Sequence, residues 1–258
     1  MKNSFDVYKI AKGLEQSEEA LQIEICRIDP VWGDELSAAE YFKLAHTYYN
    51  RHRRLLAPKE IGVALAHVGI YRRIIATNVA AVIFESDIDV SRKQLACLQD
   101  IIKQLPVDFI HLGLHPNSLR GQYFWGRKLK RYPDISLVSV HLAFHGAFAY
   151  YLTPRAAAKL LEIHENCLHL ADDWAKLLPE AELTAYYMPL FPHPEQRGAL
   201  EAERNMLRST SNLSRRIRKA TFNDLSYRLK REIIKIYAHL FLSPIQGIKR
   251  KKKESAEI

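Results

Sequence analysis

The segment VAAVIFESDIDV, residues 79–90, constrains the fold more than any other stretch of the chain. Residues 79–85 form an almost wholly apolar run rich in β-branched side chains, which reads as a strand buried on both faces. Such a strand needs a covering layer on each side, and helix-like segments flank it. Upstream, EIGVALAHVGIYRRII follows Pro58, a residue tolerated in a first helical turn. Downstream, Ser91-x-x-Gln94 caps a helix that runs to about Leu105.

The rest of the chain repeats this alternation. Ser37-x-x-Glu40 is a capping box for a helix to about Leu56. Residues 107–112 read as a strand, and 113–136, with Gly, Pro, Asn and many basic residues, as a loop. Residues 137–141 and 147–153 read as strands, and Thr153-Pro154 starts the helix PRAAAKLLEIH. A short helix is expected over 171–178 and a strand over 184–190. Strands alternating with helices predict an α/β sandwich, with the domain spanning 1–214 and a tail over 215–258. The N-terminal stretch MKNSFDVYKIAKGLEQ shows no clean apolar strand.

The tail is a different object. Phe222, Leu225, Leu229, Ile233, Ile236 and Leu240 recur at helical spacing, with Arg228, Arg231, Lys235 and His239 opposite, and KRKKK follows at 249–253. From Arg215 onward there are 13 Lys and Arg against 4 Asp and Glu, so the whole net charge of +9 resides there. A neutral body with a basic tail speaks for tethering to an anionic membrane surface rather than for nucleic-acid binding. The stripe has two readings: a last core helix, or an amphipathic helix lying in a headgroup layer. No run reaches the roughly 20 apolar residues of a membrane span, and none at the N-terminus resembles a signal peptide. The expectation is a protein of the cytoplasm or of a membrane surface. Cys26, Cys97 and Cys167 are far apart and odd in number, which argues against a disulfide framework or a zinc site and for a reducing compartment.

Three carboxylates, Glu85, Asp87 and Asp89, close the strand within five residues. They repel one another unless a cation offsets them, and carboxylate oxygens suit Mg²⁺ or Mn²⁺. Strand ends are also where α/β sheets bind ligands. The competing reading is a solvated strand–helix turn. The pair Asp172-Asp173 in ADDW is either a helix N-cap or a general base for a hydroxyl nucleophile. His193, in the loop PLFPHPE, is a further candidate metal ligand. His141 and His145 sit four apart on strand and turn, a weak metal pair. His67 reads as a semi-buried helix residue, and Tyr150 as a residue of the core or a sheet face.

Five segments, in order over about 53–192, resemble glycosyltransferase family 25, the lipooligosaccharide galactosyl- and glucosyltransferases. RRLLAPKEIGVALAHVGIYRRI resembles the family's Leu-Thr-x-x-Glu-Ile-Gly-Cys-x-x-Ser-His segment, placing Glu60, Gly62 and His67 on it. AVIFESDIDV resembles its Ile-Leu-Glu-Asp-Asp strand end through Glu85 and Asp87. FIHLG matches a following strand. AFAYYLTPRAAAKLL resembles a segment that places Tyr150 and Ala158, and ADDW resembles a later Asp-Asp pair.

The resemblance implies a single GT-A-like nucleotide-binding domain, a UDP-hexose donor and inversion to a β-linkage. It implies donor binding by Glu60, Gly62, His67, Glu85 and Tyr150, and Mn²⁺ or Mg²⁺ held by Asp87 with Glu85 or Asp89 helping; His193 stays a metal candidate from its loop position alone. Asp172 or Asp173 would be the base, and the acceptor a lipooligosaccharide or lipopolysaccharide at the inner membrane of a Gram-negative bacterium. Ala66 stands where the family usually has Ser, and Ser86 where a middle Asp is usual, although Asp89 restores Asp-x-Asp with Asp87. These departures keep an alternative open: a non-catalytic or weakened member that binds membrane or nucleic acid through its tail. A metal-dependent pyrophosphohydrolase of nucleotide sugars is a third reading.

Overall fold

The structure is a computed structural model that describes residues 4–11, 24–52, 54–114, 125–129, 135–140 and 146–193, together with 233, 236, 240, 243 and 244. His141 and His145 lie outside the described residues, as do most of the positions beyond 193.

The apolar run forms β3 (Ala81–Glu85), and every residue of it but Glu85 is buried. It sits inside the sheet, parallel to β1 (Asp6–Ile10) and antiparallel to β7 (Ala149–Leu152). The other strands are β2 (Ile25–Ile28), β4 (Phe109–Leu114), β5 (Trp125–Lys128), β6 (Ser136–Val140), β8 (Tyr186–Pro192) and β9 (Ser243–Pro244). The central six run in the order β2-β1-β3-β7-β4-β8, and β6, β5 and β9 extend the β8 edge.

Two features depart from the sequence expectation. β1 lies in the N-terminal stretch that showed no clean strand, because it is five residues long and carries Lys9 among apolar neighbours. β5 interrupts the expected loop 113–136, its short basic sequence WGRK held by antiparallel pairing to β6. Pairing partners, rather than local apolarity, make both of these strands.

Helices cover both faces, as a strand buried on two sides requires. They are α1 (Ala38–His52), α2 (Pro58–Thr77), α3 (Arg92–Gln104), α4 (Pro154–Asn166) and α5 (Trp174–Glu180). Alternate residues of β3 go to opposite sides. Ala81 and Ile83 pack with Ile70, Tyr71 and Ile74 of α2 and with Ala157 and Leu160 of α4. Val82 and Phe84 pack with Leu95 and Leu98 of α3. A third cluster joins Ala45 and Tyr48 of α1 to Ile61, Ala64 and Val68 of α2. The molecule is a mixed α/β domain with α1 as an outer layer.

The helix starts follow the caps read from sequence. Ser37 and Glu40 exchange bonds, Glu40 N–H donating to Ser37 Oγ at 3.3 Å and Ser37 N–H to Glu40 Oε2 at 3.1 Å. Ser91 Oγ accepts from Gln94 N–H at 3.3 Å, and Thr153 Oγ1 from Ala156 N–H at 3.3 Å. Each such cap contributes about 1 kcal/mol. α2 ends at Asn78, whose φ of 52° is left-handed, so β3 leaves the helix through a sharp reversal. The expected short helix over 171–178 begins at Trp174 instead, because residues 171 and 172 form a turn first.

Candidate functional site

β3 delivers Glu85 to the edge of the core, half-exposed after four buried residues. The next three residues turn: Ile88 N–H donates to Glu85 C=O at 3.3 Å, which sends Ile88 back into the core. Asp87 is therefore held at the tip of a tight turn. Asp89 lies beyond it, exposed and outside the group formed by its neighbours.

His193 completes that group from the end of β8. Ligand atoms of Glu85, Asp87 and His193 all lie within 4.8 Å of one another, and His193 Nε2 is 3.6 Å from Asp87 Oδ2. The side chains keep 34%, 45% and 28% of their surface, so the group is open to solvent on one side. Burial raises the Asp87 carboxyl above its ordinary value; His193 pulls it down, and the charge of Glu85 raises it further. Two carboxylates and one imidazole at this spacing match the hard oxygen and nitrogen donors that Mn²⁺ or Mg²⁺ takes. A cation there would remove the repulsion that Asp87 feels from Glu85.

Neighbouring residues fix the three ligands. Phe148 packs edge-on against the His193 ring, with centroids 4.7 Å apart, and its carbonyl accepts from Glu85 N–H at 3.0 Å. Phe148 can sit there only because residue 113 is glycine: a Cβ at Gly113 would lie 2.0 Å from the Phe148 ring. Lys9 pairs in register with Phe84, is 2% exposed, and its charge acts on Asp87. Sequence reading missed Lys9. The available signal was a lysine inside the short alternation VYKI.

The positions expected to bind a donor separate into two sets. His67 and Tyr150 lie behind the acids: His67 Nδ1 is 2.6 Å from the Tyr150 hydroxyl, and His67 Nε2 is 3.9 Å from Glu85 Oε1. Both are fully buried, and Tyr150 also reaches Tyr71 at 3.2 Å. Glu60 and Gly62 instead serve the N-terminus of α2. Glu60 accepts from Ala57 N–H at 3.0 Å and from Arg54 at 2.5 Å, and is 2% exposed. Gly62 lets α2 touch the loop before it, since a Cβ would fall 2.1 Å from the Val31 carbonyl oxygen. Two helical turns separate Glu60 from His67 along α2, roughly 10 Å of axis.

Asp172 and Asp173 sit half-buried in the turn before α5. Asp173 occupies the N-cap position but makes no side-chain cap; its Oδ2 pairs with Lys176. The turn is anchored by Trp174, whose ring lies 5.0 Å from Tyr150 and whose Nε1–H donates to Gly146 C=O at 2.8 Å. Packed side chains thus run without a break from Glu85 through His67 and Tyr150 to Trp174, which follows the acid pair in sequence.

The profile of glycosyltransferase family 25 (LPS biosynthesis protein) matches residues 9–175, from β1 to the first turn of α5. The chain belongs to glycosyltransferase family 25. Membership makes it a sugar transferase of the lipopolysaccharide-building kind, with a sugar donor and a lipopolysaccharide acceptor as its two substrates. The matched region contains the acid-tipped strand, the His67–Tyr150 pair and ADDW. It stops short of His193, which β8 brings to the acids from outside it. No curated protein is similar enough to the chain to count as a match.

Proposed function

We propose that this family 25 protein is an inverting, metal-dependent transferase on a GT-A-like domain. It moves a hexose, galactose or glucose, from a UDP-sugar to a lipooligosaccharide or lipopolysaccharide at the cytoplasmic face of a Gram-negative inner membrane. The observation that carries the metal dependence is the convergence of Glu85, Asp87 and His193 at the end of β3.

Asp87, Glu85 and His193 would hold Mn²⁺ or Mg²⁺. The bound cation supplies neutralisation of charge on the departing diphosphate. The charge of Lys9 also acts on Asp87 and favours its carboxylate. Inversion needs a base on the face of the sugar opposite the leaving group. An acid of the Asp172–Asp173 pair takes the acceptor hydroxyl proton in this reading. Lys176 pairs with Asp173, so of the two acids Asp173 already has a cationic partner in the turn.

The tail is assigned to the membrane surface. Ile233, Ile236 and Leu240 are helical and 56%, 59% and 70% exposed, which favours a stripe that faces away from the body. Basic residues interleaved with that stripe in sequence each add on the order of 1 kcal/mol near an anionic leaflet. Tethering raises the local concentration of a lipid-borne acceptor.

The decisive experiment measures UDP release from UDP-galactose and UDP-glucose, with and without a lipooligosaccharide acceptor, Mn²⁺ and a chelator. Release should require both acceptor and cation, and Asp87→Asn should lower it by roughly 10²–10³, the scale of one preorganised electrostatic group. Cation-independent turnover overturns the metal assignment. Cleavage without acceptor replaces transfer by hydrolysis.

A further inference from the structure

A second group of ligating side chains lies where α1 and α4 end. His52 is the last residue of α1, Cys167 the C-cap of α4, and His169 two residues further on. Ligand atoms of the three lie within 4.8 Å of one another, and the rings of His52 and His169 are 5.1 Å apart. Tetrahedral zinc with nitrogen and sulfur ligands holds its donors about 3.3–3.8 Å apart, given bonds of about 2.0–2.3 Å. The three need to close by about an ångström.

Three ring nitrogens of this group have no hydrogen-bond partner within the described residues. His169 is fully buried, yet neither of its ring nitrogens has a hydrogen-bond partner, and His52 Nε2 is buried in the same state. A buried unsatisfied polar atom costs about 1–3 kcal/mol, so three in one place require an explanation. The surrounding charges balance in pairs, Arg51 with Glu180 and Lys176 with Asp173. Arg51 also sits beside the Cys167 thiol and opposes the upward push that burial gives it.

We propose that His52, Cys167 and His169 bind a borderline-soft divalent cation, zinc, with solvent on the half-exposed His52 side as fourth ligand. Two imidazoles and a thiolate favour zinc over the hard cations suited to Glu85 and Asp87. Binding forms a sulfur–metal bond and releases the thiol proton to solvent. The ion clips the end of α1 to the turn that leads into Asp172 and Asp173, and so fixes where that turn begins. No sequence spacing signals this site, because its ligands come from two helix ends more than a hundred residues apart. This proposal runs against the sequence expectation that the cysteines form no zinc site.

The test uses the full chain, stripped with a chelator and titrated with Zn²⁺ and, separately, with Co²⁺. Wild type is expected to take up one zinc with a rise in Tm, and to show a thiolate-to-cobalt charge-transfer band. Cys167→Ser is expected to lose the band. His52→Gln, at a half-exposed helix end that tolerates change, is expected to weaken zinc affinity by on the order of 10²-fold, at or beyond the upper end for losing a supporting contact. Asp87→Asn is expected to keep both signals, which separates this site from the strand-end group and leaves the transferase reading untouched. Absence of the band in wild type, unchanged zinc affinity in His52→Gln, or loss of the band in Asp87→Asn overturns the proposal.

Discussion

The Tyr150 hydroxyl lies 2.6 Å from His67 Nδ1, deep in the core, while the other nitrogen of the same ring lies 3.9 Å from the Glu85 carboxylate. The strand-end acid is therefore backed by a buried polar pair rather than by apolar packing alone. Tyr150 faces Ile83 across the β3–β7 ladder, so the register that builds the sheet also sets the position of the hydroxyl.

Tyr150→Phe removes that hydroxyl and leaves His67 Nδ1 without its partner. A loss of about 1–3 kcal/mol is expected, the cost of one buried unsatisfied group. Thermal unfolding should show a Tm lower by several degrees. If His67 also positions Glu85, the Mn²⁺ concentration for half-maximal activity rises. A stability loss with unchanged Mn²⁺ dependence would restrict the pair to folding.

Asp172→Asn and Asp173→Asn distinguish the two acids. Loss of the base should lower kcat by roughly 10²–10⁴ and leave UDP affinity intact. Asp173→Asn also removes the ion pair to Lys176, so its Tm is measured beside kcat. Weakened UDP binding in both variants would move the pair to the donor site.

Gly113→Ala places a methyl into the Phe148 ring. Overpacking of this kind costs about 1–3 kcal/mol. Because Phe148 also packs on His193, the variant should bind Mn²⁺ more weakly in an isothermal titration. Full cation affinity in a destabilised protein would show that Phe148 does not position His193.

Stability of the metal-free protein should fall in mild acid. Burial is the first cause that lowers His52 to about 4 and His164 to about 3, from an ordinary 6.5. Both rings are neutral in the fold at pH 7 and take up protons more readily when unfolded. Their contribution is fully present above about 6.5 and is lost as pH falls toward the folded values. A Tm that declines between pH 6.5 and 4, less steeply in His164→Gln, is the expected result. A flat Tm over that window would contradict the neutral burial of these rings.

Replacing Ile233, Ile236 and Leu240 together with Ser tests the tail without removing core packing, since all three are exposed. Binding to anionic vesicles should weaken, and binding by the unaltered chain should fall as salt rises. Activity on a short soluble acceptor should persist. Loss of fold in the triple variant would instead make the stripe part of the core.

The sequence by itself determined the elements whose signals are local. The run 79–85 became β3, the caps at Ser37, Ser91 and Thr153 started their helices, and Glu85 and Asp87 ended at the edge of the core. Neighbouring residues carry each of those signals, so a linear reading finds them. Tertiary structure decided what depends on partners remote in the chain. β1 is a strand because β2 and β3 flank it, which also buries Lys9 near Asp87. His193 rather than Asp89 joins the acids, because the turn at Ile88 carries Asp89 away while β8 returns His193 to the end of β3. His52 meets Cys167 and His169 only because α1 packs across α2, and no spacing along the chain encodes that crossing.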